Sequence, residues 1–212
     1  MKIFDISMEI SGKMPVYRNK SAKRPSITMT RTLKKGANES KLIIESHTGT
    51  HADSFFHMLA DGKTIDRISL DKFLGNCIVF DFTKAGEKIT MHDFNNMGYK
   101  NKIKNGSLVL LKTMKKPLKK FNKNFTYLDK TAAKFLADKK IKLVGIDSLG
   151  IERSQPKHET HNILFKNQIP IIEGLDLSKI KPGRYFFIGL PLKIKSGDAS
   201  PIRAILIQNK QL

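Results

Sequence analysis

Apolar residues in this chain recur in short runs rich in β-branched side chains, separated by lysine, glycine, proline and asparagine. Such runs between turn formers predict strands. They fall near 2–8, 26–33, 42–48, 77–82, 107–113, 142–147, 169–173, 184–190 and 201–208. Helical periodicity is scarcer. The stretch "LDKTAAKFLADKK", residues 128–140, offers Asp129 as an N-cap and gathers Ala132, Phe135 and Leu136 on one face. A second short helix is predicted over "THNILF" and a third over "TMHDFNNM", after Thr90. Many strands with few helices predict an α/β fold, a mixed sheet core with a few helices packed outside it. There is no internal repeat, low-complexity tract or Gly/Ser linker, so residues 1–212 are expected to form a single domain.

Composition narrows the class without naming a chemistry. Apolar residues make up 40% and charged residues 27%, which describes an ordinary globular protein with a sizeable core. No apolar run approaches a membrane span, and "MKIFDISMEI" sets an acidic residue where an export signal needs an apolar stretch. Cys77 is the only cysteine, which excludes internal disulfides and thiolate clusters and fits a cytoplasmic location. It sits in the apolar run "GNCIVFDF" and reads as a core residue, not a nucleophile. The net charge of +20 raises the question of a polyanionic partner. Its densest stretch is "KTMKKPLKKFNKNF", residues 112–125, with six lysines, two phenylalanines and a proline. The excess is mostly lysine spread along the chain, with no arginine fork and no nucleic-acid module, so the stretch reads as a solvated loop. No specific nucleic-acid or membrane partner is expected.

One segment does carry chemistry. Residues 46–57 read "SHTGTHADSFFH" and hold three of the six histidines. On a helix His47 and His51 share a face while Asp53 swings away. On an extended chain His47, Gly49, His51, Asp53, Phe55 and His57 have one parity and point to one side. The extended reading therefore gathers the ligand-type side chains, and Gly49 leaves room for an ion between His47 and His51. Imidazoles with a carboxylate suit zinc, manganese or ferrous iron, and three protein ligands leave a catalytic metal open to water. A second contribution is expected from "ETHNILFKNQIPIIEGL", residues 159–175, with His161 on a helix and Glu173 at the end of an apolar strand. His158 reads as a surface histidine, and His92 has only Asp93 beside it.

These residues resemble the metal-dependent cyclase family, which includes bacterial kynurenine formamidases and isatin hydrolases. "HTGTHADSFFH" matches the family's H-x-G-T-H-x-D-x-P-x-H signature. "FDISMEISGKMPVY" resembles its opening strand, "LVGIDSLGIE" its VGID strand, "ETHNILFKNQIPIIEGLDL" its second ligand segment and "ASPIRAILI" its closing strand. The resemblance implies a swivelling β/β/α fold in dimers or higher oligomers. It implies that His47, His51 and Asp53 ligate one divalent metal, zinc first and manganese as the alternative. His161 and Glu173 would hold a second ion, with Asp53 and Glu173 able to bridge the pair. His57 would be the general acid/base, and Tyr17 would line the substrate pocket. Three positions depart from the family: Phe55 replaces the signature proline, Arg18 and Asn19 replace a Pro-Gly pair, and Met114 replaces the glycine after Thr113. The ligand positions are untouched; the changes fall where substrate would be read.

The chemistry this implies is hydrolysis of the C–N bond of a small-molecule amide, such as an N-formyl aryl amide, by metal-activated water. His57, six residues beyond His51, is near enough to take the water's proton and return it to the leaving nitrogen. Tyr17, Phe55 and Phe56 are candidate pocket walls, with a core role equally open to Phe56. Ser148 and Asp147 in "GIDSLG" lack a nucleophile elbow and read as structural support or as hydrogen-bonding partners of a metal ligand. Two alternatives stand beside this reading: opening of a cyclic amide of the isatin kind, and a non-catalytic metal-binding protein on the same fold.

Overall fold

A computed structural model of the chain describes residues 1–153 and 155–208. In chain order its strands are β1 (Lys2–Asp5), β2 (Ser26–Arg31), β3 (Glu39–Ile43), β4 (His51–Asp53), β5 (Leu74–Asp81), β6 (Lys88–Ile89), β7 (Leu108–Lys112), β8 (Tyr127–Leu128), β9 (Leu143–Ile146), β10 (Ile171–Glu173), β11 (Gly183–Ile188), β12 (Ala199–Pro201) and β13 (Ile205–Gln208). Three helices intervene: α1 (Met91–Asn96), α2 (Lys130–Asp138) and α3 (Glu159–Lys166). Nine strands form one mixed sheet in the order β1-β13-β11-β5-β7-β9-β10-β4-β12. Its centre, β5-β7-β9-β10, is parallel, and the strands on either side run antiparallel. The α/β sheet-and-helix expectation holds.

The parallel centre explains itself from composition. Parallel strands buried on both faces read as continuous apolar runs. β7 is "LVLLK", buried throughout, with Leu108–Leu111 contributing about 1.5–3 kcal/mol each. Cys77, on β5, is buried in the core and burial pushes its thiol up, away from reactivity. Helices make the crossovers between the parallel strands, with α2 packed between α1 and α3. Asp129 caps α2 by accepting from the Thr131 and Ala132 amides, and its apolar face of Ala132, Ala133 and Leu136 is buried. Thr90 and Asp93 cap α1 reciprocally.

Two strand expectations need correction. The run expected at 201–208 divides into β12 and β13, which lie at opposite ends of the strand order. The chain crosses between them through Ile202–Ala204, because the sheet curls until its edges meet. There the Ile6 amide donates to the Ala204 carbonyl, and Ser7 bridges Leu175. The runs at 26–33 and 42–48 are not part of the large sheet: β2 and β3 pair only with each other, exposed along their whole length.

At the C-terminal ends of β7 and β9, Asp147 acts as a clamp. Its carboxylate accepts from the Thr113 amide at 2.9 and 3.0 Å, the Met114 amide at 2.9 Å and the Thr113 hydroxyl at 2.5 Å. Ser148 donates to the Gly150 carbonyl. Neither side chain reaches a candidate ligand, so of the two roles expected it is structural support, at the strand ends, that the hydrogen bonds show. Asp147→Ala leaves two inward amides without an acceptor. It is expected to destabilise the fold by about 2–3 kcal/mol in urea unfolding; a change within experimental error would show the clamp to be dispensable.

Candidate metal centre

The register of the sheet brings the first groups together. β10 runs antiparallel to β4 with Glu173 opposite His51 and Ile171 opposite Asp53. Directly opposed residues project from the same face, so His51, Asp53 and Glu173 share one side. α3 brings His161 onto that face, where its ring is buried.

The rest of the 47–57 segment converges by another route than the one expected. Strict alternation holds only over His51–Asp53. Gly49 turns the chain with a left-handed φ of 62°, and Phe55–His57 forms a 3-10 turn that swings His57 back. His57 then lies 4.2 Å from His47 and 5.9 Å from His161, centroid to centroid. Gly49 does not open space for an ion. A β-carbon there would meet Met14 Cε at 2.8 Å, and one on Gly174 would meet the Gly49 carbonyl at 2.3 Å, so the two glycines let β10 and the histidine loop touch. Phe55 is not a pocket wall either: it is buried against Phe165 of α3, at 5.8 Å, which ties the His57 turn to the helix carrying His161. Phe56 is exposed.

The atoms at the centre lack partners. His51 Nδ1 lies 2.9 Å from the Gly49 carbonyl, which can only accept, so Nδ1 carries a proton and, in the neutral ring, Nε2 presents a lone pair. That lone pair faces Asp53 Oδ1 at 3.4 Å and Glu173 Oε2 at 3.6 Å. His47 Nδ1 lies 2.9 Å from Asp53 Oδ1; His161 Nε2 lies 3.8 Å from both Asp53 Oδ2 and Glu173 Oε1. Yet His51 Nε2, both Asp53 oxygens and His161 Nδ1 are buried with no hydrogen-bond partner of acceptable geometry. His51 Nε2 and the Asp53 oxygens, buried and converging on one space, fit a cation between them. The spacings bracket the ligand–ligand edge of about 3.4 Å in a tetrahedral site with bonds near 2.1 Å. The donor set therefore fits a divalent metal. His51–Asp53–Glu173 and His47–Asp53–His57 are each close enough to hold one.

Two carboxylates not anticipated from sequence back the outer imidazoles. Asp198 Oδ2 lies 3.1 Å from His47 Nε2, and Glu152 Oε1 lies 3.1 Å from His161 Nδ1. Such partners orient a ligating imidazole and strengthen its basicity. Glu152 also holds His158 Nδ1 at 2.6 Å, so His158 is a member of the site's rim and not a lone surface residue. Glu152 lies in the quoted "LVGIDSLGIE" segment; only its through-space neighbours reveal its use.

Electrostatics follow from this crowding. Burial opposes charge on His47, His51 and His161, but the Asp53 carboxylate close beside them raises all three, His47 to about 9 and His161 to about 10, with Glu152 and Glu173 also acting on His161. Burial raises Glu173, reinforced by Asp53. Burial, with His47 and His161 nearby, lowers His57 to about 4, which keeps its imidazole neutral. His47, His51, His57, His161 and Glu173 line a cavity of about 290 Å³, with Asp53 directly beneath. Its apolar walls are Val16, Tyr17, Met58 and Leu149, in place of the expected phenylalanines.

Without a metal, the raised imidazoles of His47 and His161 are protonated at pH 7.5, and a metal must displace those protons. Zinc titrated into chelator-stripped protein is therefore expected to release about two protons, measured by calorimetry in buffers of different ionisation enthalpy, with affinity falling as pH drops. Loading should raise Tm on the order of 10 °C. Asp53→Ala should abolish both effects; an unchanged melting temperature on adding zinc would refute the centre.

Comparison with known proteins agrees with this geometry. Residues 4–153 match the cyclase family, described as "Putative cyclase". The kynurenine formamidase of Delftia acidovorans is 28% identical over 206 residues, covering 97% of each chain. A solved potential metal-dependent hydrolase with cyclase activity is 40% identical, with a TM-score of 0.88 over 97% of this chain and 96% of its own. An isatin hydrolase bound to thioisatinate shares the fold at a TM-score of 0.86 and 20% identity, covering 99% of this chain and 93% of its own.

Proposed function

The chain belongs to the cyclase family, and on that premise we propose that it is a single-domain, metal-dependent hydrolase of non-peptide C–N bonds, acting on N-formyl aryl amides in the manner of kynurenine formamidase. The observation that carries the reading is the set of buried, partnerless donor atoms on His51 and Asp53 beside a neutral imidazole, at the base of an apolar-walled cavity. His47, His51 and Asp53 would hold one ion and His161 and Glu173 a second; His57, though within reach of an ion at His47 and Asp53, is read as the proton-transfer group. Zinc is the metal favoured by an imidazole–carboxylate set, with manganese the alternative. When bound, the metal supplies a lowered pKa for water and polarisation of the scissile carbonyl.

The chain's own residues do the rest. His57 is neutral and therefore a proton acceptor; it takes the proton of the attacking water and returns it to the departing nitrogen. Asp198 and Glu152 hold His47 and His161 in orientation. Tyr17, Met58 and Leu149 flank the substrate and exclude bulk water from it. The lone, buried thiol of Cys77 fits a cytoplasmic setting.

His57→Ala is expected to lower kcat on N-formylaniline by about 10²–10⁴-fold while leaving bound metal, measured by elemental analysis, unchanged. Unaltered turnover would remove His57 from the chemistry. Isatin assayed alongside tests the cyclic-amide alternative: turnover of isatin alone would replace the formamide as substrate.

We also infer a homodimer. A two-stranded hairpin is marginal by itself, and β2–β3 exposes Ile27, Met29, Leu42 and Ile43. Light scattering is expected to give twice the 24.0 kDa chain mass, and Ile27→Lys with Leu42→Lys to shift it towards the monomer; a wild-type monomer at micromolar concentration would count against the dimer.

A further inference from the structure

The lysine-rich stretch and the Arg18–Asn19 departure, unconnected in sequence, meet in space. Asn19 and Phe121 clasp each other twice: the Asn19 side-chain amide donates to the Phe121 carbonyl, and the Phe121 amide donates back to Asn19 Oδ1, both at 3.2 Å. The Tyr17 and Phe121 rings pack edge to face at 4.9 Å. A groove runs here with Arg18, Lys120 and Lys123 on its rim and Phe121 and Phe125 within it. Tyr17 lines both this groove and the cavity of the metal centre, so the two adjoin at its ring.

Three features set this groove apart from an ordinary solvated loop. Arg18 and Asn19 both adopt left-handed backbone, φ 55° and 53°, a cost of about 1 kcal/mol or more each for residues other than glycine. That strain is held by the Asn19 clasp, and it carries the Arg18 guanidinium to 5.4 Å from the Tyr17 ring. Next, among the described residues no carboxylate pairs with Arg18, Lys120 or Lys123, and no acidic side chain lines the groove. Last, Arg153 is held beside the groove by a hydrogen bond to the Phe125 carbonyl and by Glu87, with its guanidinium near the Phe125 and Tyr127 rings. Cations above an aromatic floor suit a flat, anionic molecule. The groove adjoins a small-molecule cavity at Tyr17, which favours a small carboxylate over a polymer.

Resting on the amide-hydrolase reading above, we infer that this groove is an anion-recognition subsite. It selects aryl amide substrates that carry a carboxylate remote from the scissile bond, with Arg18, Lys120 and Lys123 as the specificity-determining cations. The net charge of +20 would add long-range attraction for such a substrate.

The test uses a matched pair of probes, 3-(4-formamidophenyl)propanoate and its neutral primary amide, on the metal-loaded protein. Wild type is expected to favour the carboxylate in kcat/KM by about tenfold or more, with the preference shrinking as salt rises. Arg18→Gln/Lys120→Gln/Lys123→Gln should abolish that preference by raising KM for the carboxylate, with the neutral probe and kcat unchanged. Equal kcat/KM for the two probes in wild type, or a preference that survives the triple substitution, would overturn the subsite. Binding of the corresponding amines, 3-(4-aminophenyl)propanoate and its amide, is measured in parallel by calorimetry. If neither formamide is hydrolysed, the function reading fails, and a carboxylate preference in binding that the triple variant loses still upholds the subsite, while equal binding rejects it.

Discussion

A nitrogen lone pair that faces two carboxylates in a dry interior is the constraint on which this molecule turns. The Gly49 carbonyl engages the proton on His51 Nδ1 and so aims Nε2 at Asp53 and Glu173; in the neutral ring that nitrogen, like the two ionised carboxylates, can only accept. Acceptors so opposed repel one another unless something positive lies among them. In the bare protein protons on neighbouring imidazoles partly serve; a divalent ion serves better, because it can be shared by all the ligands at once. The site's need for a cation is built into its hydrogen bonding.

The surrounding scaffold exists to hold that unfavourable arrangement in place. The antiparallel β4–β10 register fixes His51 against Glu173, and the meeting of Gly49 with Gly174 lets the histidine loop lie close over β10. Thr50 stitches the same junction, donating to the Gly174 carbonyl while accepting from the Met8 amide. Phe55 against Phe165 makes the His57 turn and α3 move as one packed unit. The signature proline of related chains would stiffen this turn through its own ring; here an aromatic anchor in the core does so. Asp198 and Glu152 complete the frame from outside, each behind one imidazole.

Charge is arranged in two shells of opposite sign. Carboxylates are concentrated beneath the cavity, where they favour cations, while among the described residues Arg18, Lys120 and Lys123, in the groove beyond Tyr17, have no carboxylate partner. Such a gradient would suit the anion subsite inferred above and would give part of the net positive charge a use.

Much of this was legible before any coordinates. The apolar runs marked the central strands, Asp129 and Thr90 marked helix starts, and the density of histidines around Asp53 marked the chemistry, because each signal is local and periodic. The hairpin and the split closing strand were not legible, since the runs at 26–33 and 201–208 look like any other strand and only pairing partners say where they belong. The convergence of the 47–57 side chains was foreseen for the wrong reason: alternation covers only three residues, and a left-handed glycine and a 3-10 turn do the rest. Glu152, His158 and Asp198 act through neighbours distant in the chain, as do Arg18 and the lysine loop. The amino-acid order by itself determined which donor atoms this protein owns; only the tertiary structure decided which of them face one another across a buried space, because that depends on register and packing, which no single segment contains.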